Sequence, residues 1–158
     1  AQSDPPDLPA VMTWLRRRHK AMRQLASGVP PRPWQDIQHE RLALEELVVE
    51  QRLSRELDEY HTPSPVARAA RQLQEIGRTF RAGQHVRFLY TRGSPGVYAW
   101  DLPVPPDPRT LDINRYTRIF DRAAQAVLEP FGVHGWQAEQ YQPRPLWNEK
   151  SSRRSSVR

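Results

Sequence analysis

The chain has 158 residues, with 24 lysines and arginines against 18 aspartates and glutamates, so its formal net charge is +6. This length suits one domain, and the basic surplus makes a polyanion such as nucleic acid the first partner to consider. The absence of cysteine excludes disulfide scaffolds, thiol catalysis and cysteine zinc sites.

The positive charge is carried almost entirely by arginine, because Lys20 and Lys150 are the only lysines. The planar guanidinium group suits phosphate oxygens, which favours nucleic acid. The alternative is that a GC-rich genome encodes arginine wherever solubility requires a positive charge. No apolar run approaches the ~18 residues of a membrane span, and the first residues lack a signal pattern. We therefore expect a cytoplasmic, nucleoid-associated protein without a membrane partner.

Apolar residues at three-, four- and seven-residue steps predict a first helix, which Asp7 caps and Gly28 ends. The apolar positions are Leu8, Val11, Leu15, Met22 and Leu25. The opposite face is "RRRHK" together with Arg23, and no acidic residue lies within one turn of this run. We therefore place Arg16, Arg17 and Lys20 among the candidate phosphate contacts, although a solvated helix face is the usual meaning of such a run.

The stretch "ERLALEELVVEQRLS" predicts a short helical turn that gives way to a strand at Leu47. "TPSPVARAARQLQEIG" predicts a second helix, with Ser64 as cap, Pro65 in the first position and Gly77 at the end. The predicted buried stripe is Val66, Ala69, Leu73 and Ile76, and the predicted outer side is Arg68, Arg71 and Gln72.

"HVRFLYTR" and "GVYAWDL" predict two strands of a hairpin that turns at "GSP". Their apolar alternations are Val86, Phe88 and Tyr90 on the first strand, and Tyr98, Trp100 and Leu102 on the second. Asp112 opens a third helix that Pro130 stops, with a core face of Ile113, Tyr116, Phe120, Ala123 and Val127. The predicted fold class is α+β, with three main helices packed on a small antiparallel sheet.

Four segments, in this order, carry a resemblance to a known family: "LVVEQRLSRELDEY", "PSPVARAARQL", "GQHVRFLYTRG" and "DPRTLDINRYTRIFDRAAQAVLEPFGV". Together they resemble the carboxy-terminal thumb region of family-B DNA polymerases of the bacterial and archaeal type. The match runs from about Leu44 to Val133. It implies a division into residues 1–43 leading into the thumb, a thumb core at 44–133, and a flexible basic tail at 134–158.

The resemblance implies a domain that grips primer–template duplex across the minor groove by phosphate contacts, which position a duplex without reading its sequence. The apolar "LVV" would anchor a strand and present the arginines at its exit to DNA, and the start of the second helix would favour an anion. The candidate DNA-binding residues are Arg52, Ser54, Arg55, Tyr60, Ser64, Arg68, Arg71, Arg87, Arg92, Arg16, Arg17 and Lys20.

Each of these candidates also has a structural interpretation. Arg52 with Glu56, and Arg55 with Glu59, would form weak surface ion pairs if the segment were helical. Tyr60 could equally be a core residue with a satisfied hydroxyl. His61 stands where the family often has lysine, and an unperturbed histidine is mostly uncharged at neutral pH.

No catalytic residues are predicted, because the chain lacks the family's paired palm carboxylates that hold two metal ions for phosphoryl transfer. We therefore expect no cofactor in this chain and Mg²⁺ only in an absent palm domain. The partners implied are primer–template DNA and the palm, fingers and exonuclease regions of the polymerase, in cis or in trans. The tail "QYQPRPLW" is a poor match to a clamp-binding peptide, so a sliding clamp is not an expected partner.

Two other functions stay open from the sequence. The chain could be an interaction module that docks on a separate catalytic polymerase subunit, or a free-standing nucleic-acid-binding protein. Isolated from the catalytic region, it should not extend primers in either case.

Overall fold

The protein is described by a computed structural model, and the described residues are 7–30, 41–136 and 138. They form three α-helices and three strands. The helices are α1 (Leu8–Ser27), α2 (Pro65–Glu75) and α3 (Ile113–Leu128), and the strands are β1 (Val49–Arg52), β2 (His85–Tyr90) and β3 (Val97–Ala99). Short 3₁₀ helices occupy Leu44–Leu47, Leu57–Glu59, Pro108–Thr110 and Glu129–Phe131. The α+β prediction is confirmed.

The helices begin where the sequence predicts, because each cap residue accepts a backbone N–H of the first turn. Asp7 accepts from Ala10 N at 3.1 Å, Ser64 from Ala67 N at 3.4 Å, and Asp112 from Arg115 N at 3.1 Å. α1 ends at Gly28, which takes the left-handed conformation (φ 71°) that suits a residue without Cβ. The predicted caps of all three helices are therefore confirmed.

The sheet is antiparallel with strand order β1-β2-β3. Val49 lies opposite Phe88 between β1 and β2, and Phe88 lies opposite Ala99 between β2 and β3. The hairpin prediction for β2 and β3 is confirmed. β3 ends at Ala99 and buries Val97 and Ala99, so Trp100 and Leu102 follow the strand instead of extending its face.

Two predicted helix faces need correction. Ile76 lies just past the last residue of α2 and is 49% exposed, so it does not continue the buried stripe. Gln72 was expected on the outer side, but its side chain donates to Val97 O at 2.9 Å and accepts from Ala99 N at 2.8 Å. α2 is therefore fastened to the β3 edge of the sheet by a side-chain amide.

The predicted core face of α3 is confirmed at Ile113, Tyr116 and Phe120, which pack in the core, and is wrong at its last two positions. Tyr116, Ala124 and Leu128 are buried, whereas Ala123 and Val127 are exposed. Ala124 and Leu128 pack against Leu15 of α1 in a small cluster at the α1–α3 contact. Packing against α1 therefore buries Ala124 and Leu128, which each follow a predicted core residue by one position.

The main core cluster joins α2, the sheet and the start of α3, and Leu53, Leu73, Phe88 and Leu89 are fully buried in it. The Tyr116 hydroxyl ties α3 to this core, because it accepts from Tyr90 N and donates to Leu47 O, each at 2.9 Å. Burial raises the pKa of Tyr116 to about 12, so the hydroxyl stays protonated and able to donate.

Trp136 and Ala138 are buried in the cluster at the α1–α3 contact, so packed structure continues past residue 133. The rest of the predicted basic tail, residues 139–158, lies outside the described residues. No helix within the described ranges is long and apolar enough to cross a membrane.

Candidate nucleic-acid interface

The exit of β1 and the start of α2 bring five of the predicted residues into one continuous junction. It comprises Arg52, Ser54, Arg55, Tyr60 and Ser64. The segment is extended and then bends into the 3₁₀ helix Leu57–Glu59, so the helical ion pairs considered from the sequence do not form. Glu56 instead accepts from Ala82 N at 3.1 Å.

Tyr60 organises the outer side of this junction. Its hydroxyl oxygen accepts from Ser54 N at 3.1 Å and lies 3.2 Å from Ser54 Oγ. The hydrogen bond with Ser54 lowers the pKa of Tyr60 below its ordinary value. The Arg55 guanidinium lies over the Tyr60 ring, with Cζ 5.6 Å from the centroid. The tyrosine therefore holds both the bend at Ser54 and the cation above it.

Arg52 and Arg55 are exposed, and neither is within ion-pair distance of a carboxylate in the part of the chain that the structure describes. Guanidinium groups in this state can donate to a phosphate without first breaking an ion pair. Asp58 and Glu59 are also exposed nearby. The positive surface is therefore limited to the β1 exit.

A loop that the sequence did not assign to the site lies against the β1 exit. Leu53 N donates to Gln84 O at 2.8 Å, and Gly83 N donates to Leu53 O at 2.7 Å. A Cβ added at Gly83 would lie 3.5 Å from Arg52 Nη2, so the loop backbone closely approaches that guanidinium. Together they line a shallow hollow with Ser54 and Ala82.

Arg81 belongs to this loop and is exposed. It adds a third cation beside the β1 exit, and the sequence analysis missed it. The signal that could have found it is the antiparallel pairing of β1 with β2. That pairing brings the residues before His85 next to those after Arg52.

The structure places Arg68 and Arg71 differently from their shared prediction as outward phosphate contacts. Arg68 is exposed and donates to Pro95 O at 3.0 Å. Arg71 is half-buried and donates through Nη2 to Leu57 O at 3.2 Å and to Tyr60 O at 3.5 Å. Arg71 therefore fastens the junction to α2, because α2 turns this side chain toward the junction backbone.

The two predicted strand arginines are also engaged within the protein. Arg87 Nη2 is 2.6 Å from Asp101 Oδ1, and Arg78 Nη1 is 3.3 Å from Asp101 Oδ2. Arg92 donates through Nη2 to the carbonyl of Arg109. Asp101 neutralises much of the charge that Arg78 and Arg87 would otherwise present.

The basic run of α1 forms a separate surface, because α1 packs on α3 and on the 3₁₀ helix Pro108–Thr110. Arg17 and Lys20 are exposed and Arg16 is half-buried. No acidic residue lies within one turn of the run, but Arg18 pairs with Glu46 at 2.7 Å from another part of the chain. His19 is buried and does not belong to the outer face.

No group of three or more histidine, cysteine, aspartate or glutamate residues within the described ranges could hold a metal ion. The junction offers cationic donors and a hydroxyl instead. Such a surface can bind an anion.

No protein-family model and no curated protein matches the chain. Among solved structures, the chain is similar to the family B DNA polymerase from the hyperthermophilic archaeon Pyrobaculum calidifontis, with a TM-score of 0.54 and 21% sequence identity. The similarity covers 87% of this chain and 16% of the polymerase chain. The chain thus shares the fold of a part of that polymerase and spans about one sixth of its length.

Proposed function

We propose that this chain is the thumb-type, duplex-binding part of a family-B DNA polymerase, and that it holds primer–template DNA through phosphates without reading base sequence. The observation that carries this proposal is the pair Arg52 and Arg55, exposed at the β1 exit without a carboxylate partner among the described residues. The likeness in fold to a part of a family B DNA polymerase supports it.

The junction suits a phosphate backbone better than base edges. Ser54 and Tyr60 are hydrogen-bonded to each other, so their polar atoms are held in place beside the two guanidinium groups. Donors that follow one another along a short stretch can contact phosphates, and phosphate contacts fix the register of a protein on a duplex without reading its sequence. Arg81 extends this positive surface on the neighbouring loop.

The decisive measurement is the affinity of the chain for primer–template duplex as a function of salt. We expect log K to fall linearly with log salt, with a slope of about −0.9 for each phosphate neutralised. Two duplexes of equal length and unrelated sequence should bind equally. Binding that ignores salt, or that prefers one sequence by orders of magnitude, would contradict the proposal.

Primer extension by the isolated chain provides the second check. Catalysis in this proposal belongs to a palm region elsewhere, where Mg²⁺ would be bound, so the chain alone should add no nucleotide. Incorporation of nucleotides by the purified chain would show that the palm chemistry had been assigned to the wrong place.

A further inference from the structure

The loop that lies against the β1 exit is a tight turn from Arg81 to Gln84. Gln84 N donates to Arg81 O at 3.2 Å, and Arg81 N donates to Gln84 Oε1 at 2.8 Å. Gly83 is the third residue of the turn and has φ +91°, which glycine adopts without the steric cost of a Cβ. The local sequence therefore defines the shape of the turn.

The half-buried side chain of Glu56 reaches this turn from the junction. Its Oε1 accepts from Ala82 N at 3.1 Å, across 26 positions of the chain. The carboxylate makes no ion pair within the described ranges, although Arg52 and Arg55 belong to the same segment. Glu56 therefore binds the backbone of the turn and not a neighbouring cation.

The turn forms one wall of the hollow that Arg52 lines. Gly83 N donates to Leu53 O at 2.7 Å, which holds the turn one residue away from Arg52. A Cβ added at Gly83 would lie 3.5 Å from Arg52 Nη2 and 3.8 Å from Nε, so the guanidinium lies beside bare backbone. A wall on one side leaves a long side chain fewer conformations to lose when it binds a ligand. The place of the turn thus affects how Arg52 is presented to phosphate.

We propose that Glu56 is a positioning residue for phosphate binding at the β1 exit, because it holds the turn and the turn holds the Arg52 guanidinium. This role, which rests on the proposed function, makes an acidic residue favourable to DNA binding. By charge alone, an acid beside a phosphate-binding surface weakens binding, since like charges repel. Removal of the Glu56 side chain therefore changes DNA affinity in opposite directions under the two explanations.

The affinities of three variants for primer–template duplex at low salt separate position from charge. Glu56→Ala removes the acceptor for Ala82 N, and we expect it to lower the affinity about threefold or more. Glu56→Gln keeps an acceptor oxygen and removes the negative charge, so its affinity should equal that of the unaltered chain or exceed it by up to about threefold. Glu59→Ala is the matched control, because it removes an exposed glutamate from the same junction, and it should not lower the affinity.

Hydrogen exchange of the Ala82 amide, followed by NMR, reports on the turn without DNA. Exchange should be faster in Glu56→Ala than in the unaltered chain and should stay slow in Glu56→Gln, because an amide exchanges when its hydrogen bond opens. Urea unfolding identifies the conditions in which each variant is folded, and affinities are compared only there. Unchanged exchange in Glu56→Ala would overturn the inference, since Glu56 would then not hold the turn.

The binding results distinguish failure of this role from failure of the proposed function. An equal loss of affinity in both Glu56 variants would overturn the positioning role and leave duplex binding in place. The same conclusion would follow if Glu56→Ala bound as tightly as Glu59→Ala. An unaltered chain that binds no duplex would overturn the proposed function, and the role of Glu56 with it.

Discussion

Arginines lie both in the junction at the β1 exit and beside the exposed face of the sheet, but only those beside the sheet are paired with a carboxylate. Arg52 and Arg55 have no carboxylate partner among the described residues, whereas Arg78 and Arg87 share Asp101. A net charge of +6 therefore does not locate a DNA surface by itself. The arginines that remain unneutralised after folding are the ones that can bind phosphate.

The largest expected effect comes from removing both cations of the junction. Arg52→Ala with Arg55→Ala should lower the affinity for primer–template duplex about a hundredfold or more, since each lost charge-assisted bond is worth ~1.5–3 kcal/mol. The salt slope should become shallower by about 1.8, which corresponds to two phosphates. Fluorescence anisotropy at several salt concentrations measures both quantities.

The matched control for this variant removes the two exposed arginines that share Asp101, as Arg78→Ala with Arg87→Ala. It causes the same loss of net charge but leaves the junction intact. If both double variants lose affinity and slope equally, binding depends on overall charge, and the distinction between the two surfaces fails.

The second effect concerns an arginine on the inner side of the same junction. Arg71→Ala should lower the free energy of unfolding by about 1–2 kcal/mol, because its bonds to Leu57 O and Tyr60 O are lost from a half-buried position. Urea unfolding with an unchanged m-value measures this. Arg68→Ala, which removes an exposed arginine from the same helix, should change stability by less than ~0.5 kcal/mol.

The affinity of folded Arg71→Ala protein for DNA tests whether Arg71 supports the junction from inside or contacts DNA itself. We expect a smaller loss of affinity than for the junction double variant, since Arg71 acts through the backbone. A large loss of DNA affinity without any loss of stability would show that Arg71 contacts DNA directly and does not act through the backbone.

A smaller effect on DNA affinity should follow from breaking the ion pairs of Arg78 and Arg87 beside the sheet. Asp101→Asn removes the shared partner of Arg78 and Arg87, and it should raise the affinity for duplex about two- to threefold at low salt. Glu75→Gln is the control, because it makes the same change of net charge at an exposed position of α2. Equal gains for both variants would mean that ion pairing at Asp101 has no specific effect.

The smallest effect concerns pH and lies away from both surfaces. Burial, followed by the charge of Arg23, lowers the pKa of His19, while Asp121 opposes the shift. His19 therefore binds a proton more readily in the unfolded chain. Its contribution to stability is complete above the unfolded pKa of ~6.5 and is lost as pH falls through that value toward the lower folded pKa.

Urea unfolding at pH 7.5 and at pH 5.5 tests this expectation. The loss of stability between the two pH values should be smaller for His19→Gln than for the unaltered chain, because the variant lacks this titration. DNA affinity at pH 7.5 should not change. An identical pH dependence for the two proteins would show that burial of His19 does not perturb its titration.

The fold was largely predictable because its signals are local. Asp7, Ser64 and Asp112 each cap the helix that the sequence assigned to them, and the hairpin of β2 and β3 follows from alternation on either side of a turn. The buried row of α3 was predicted incorrectly at Ala123 and Val127. Their exposure depends on which neighbour the helix packs against, and a helical period alone cannot specify that.

The candidate site was less predictable, because pairing between distant residues decides the state of each arginine. Arg52 and Arg87 look alike in sequence, yet only Arg87 meets Asp101. Arg81 joins the β1 exit through strand pairing across some 30 positions of chain, which residue spacing does not encode. Sequence could therefore name the cations but could not determine which of them fold back onto the protein.

The Tyr116 hydroxyl connects α3 to the segment that leads into β1, the strand that carries Arg52. It joins the first turn of α3 to the carbonyl of Leu47, two residues before the strand that ends at Arg52. A displacement of this helix turn would break the partly buried bond between Tyr116 and Leu47 unless the segment before β1 moved with it. The start of α3 should therefore move together with the start of β1, at the end of that strand opposite Arg52.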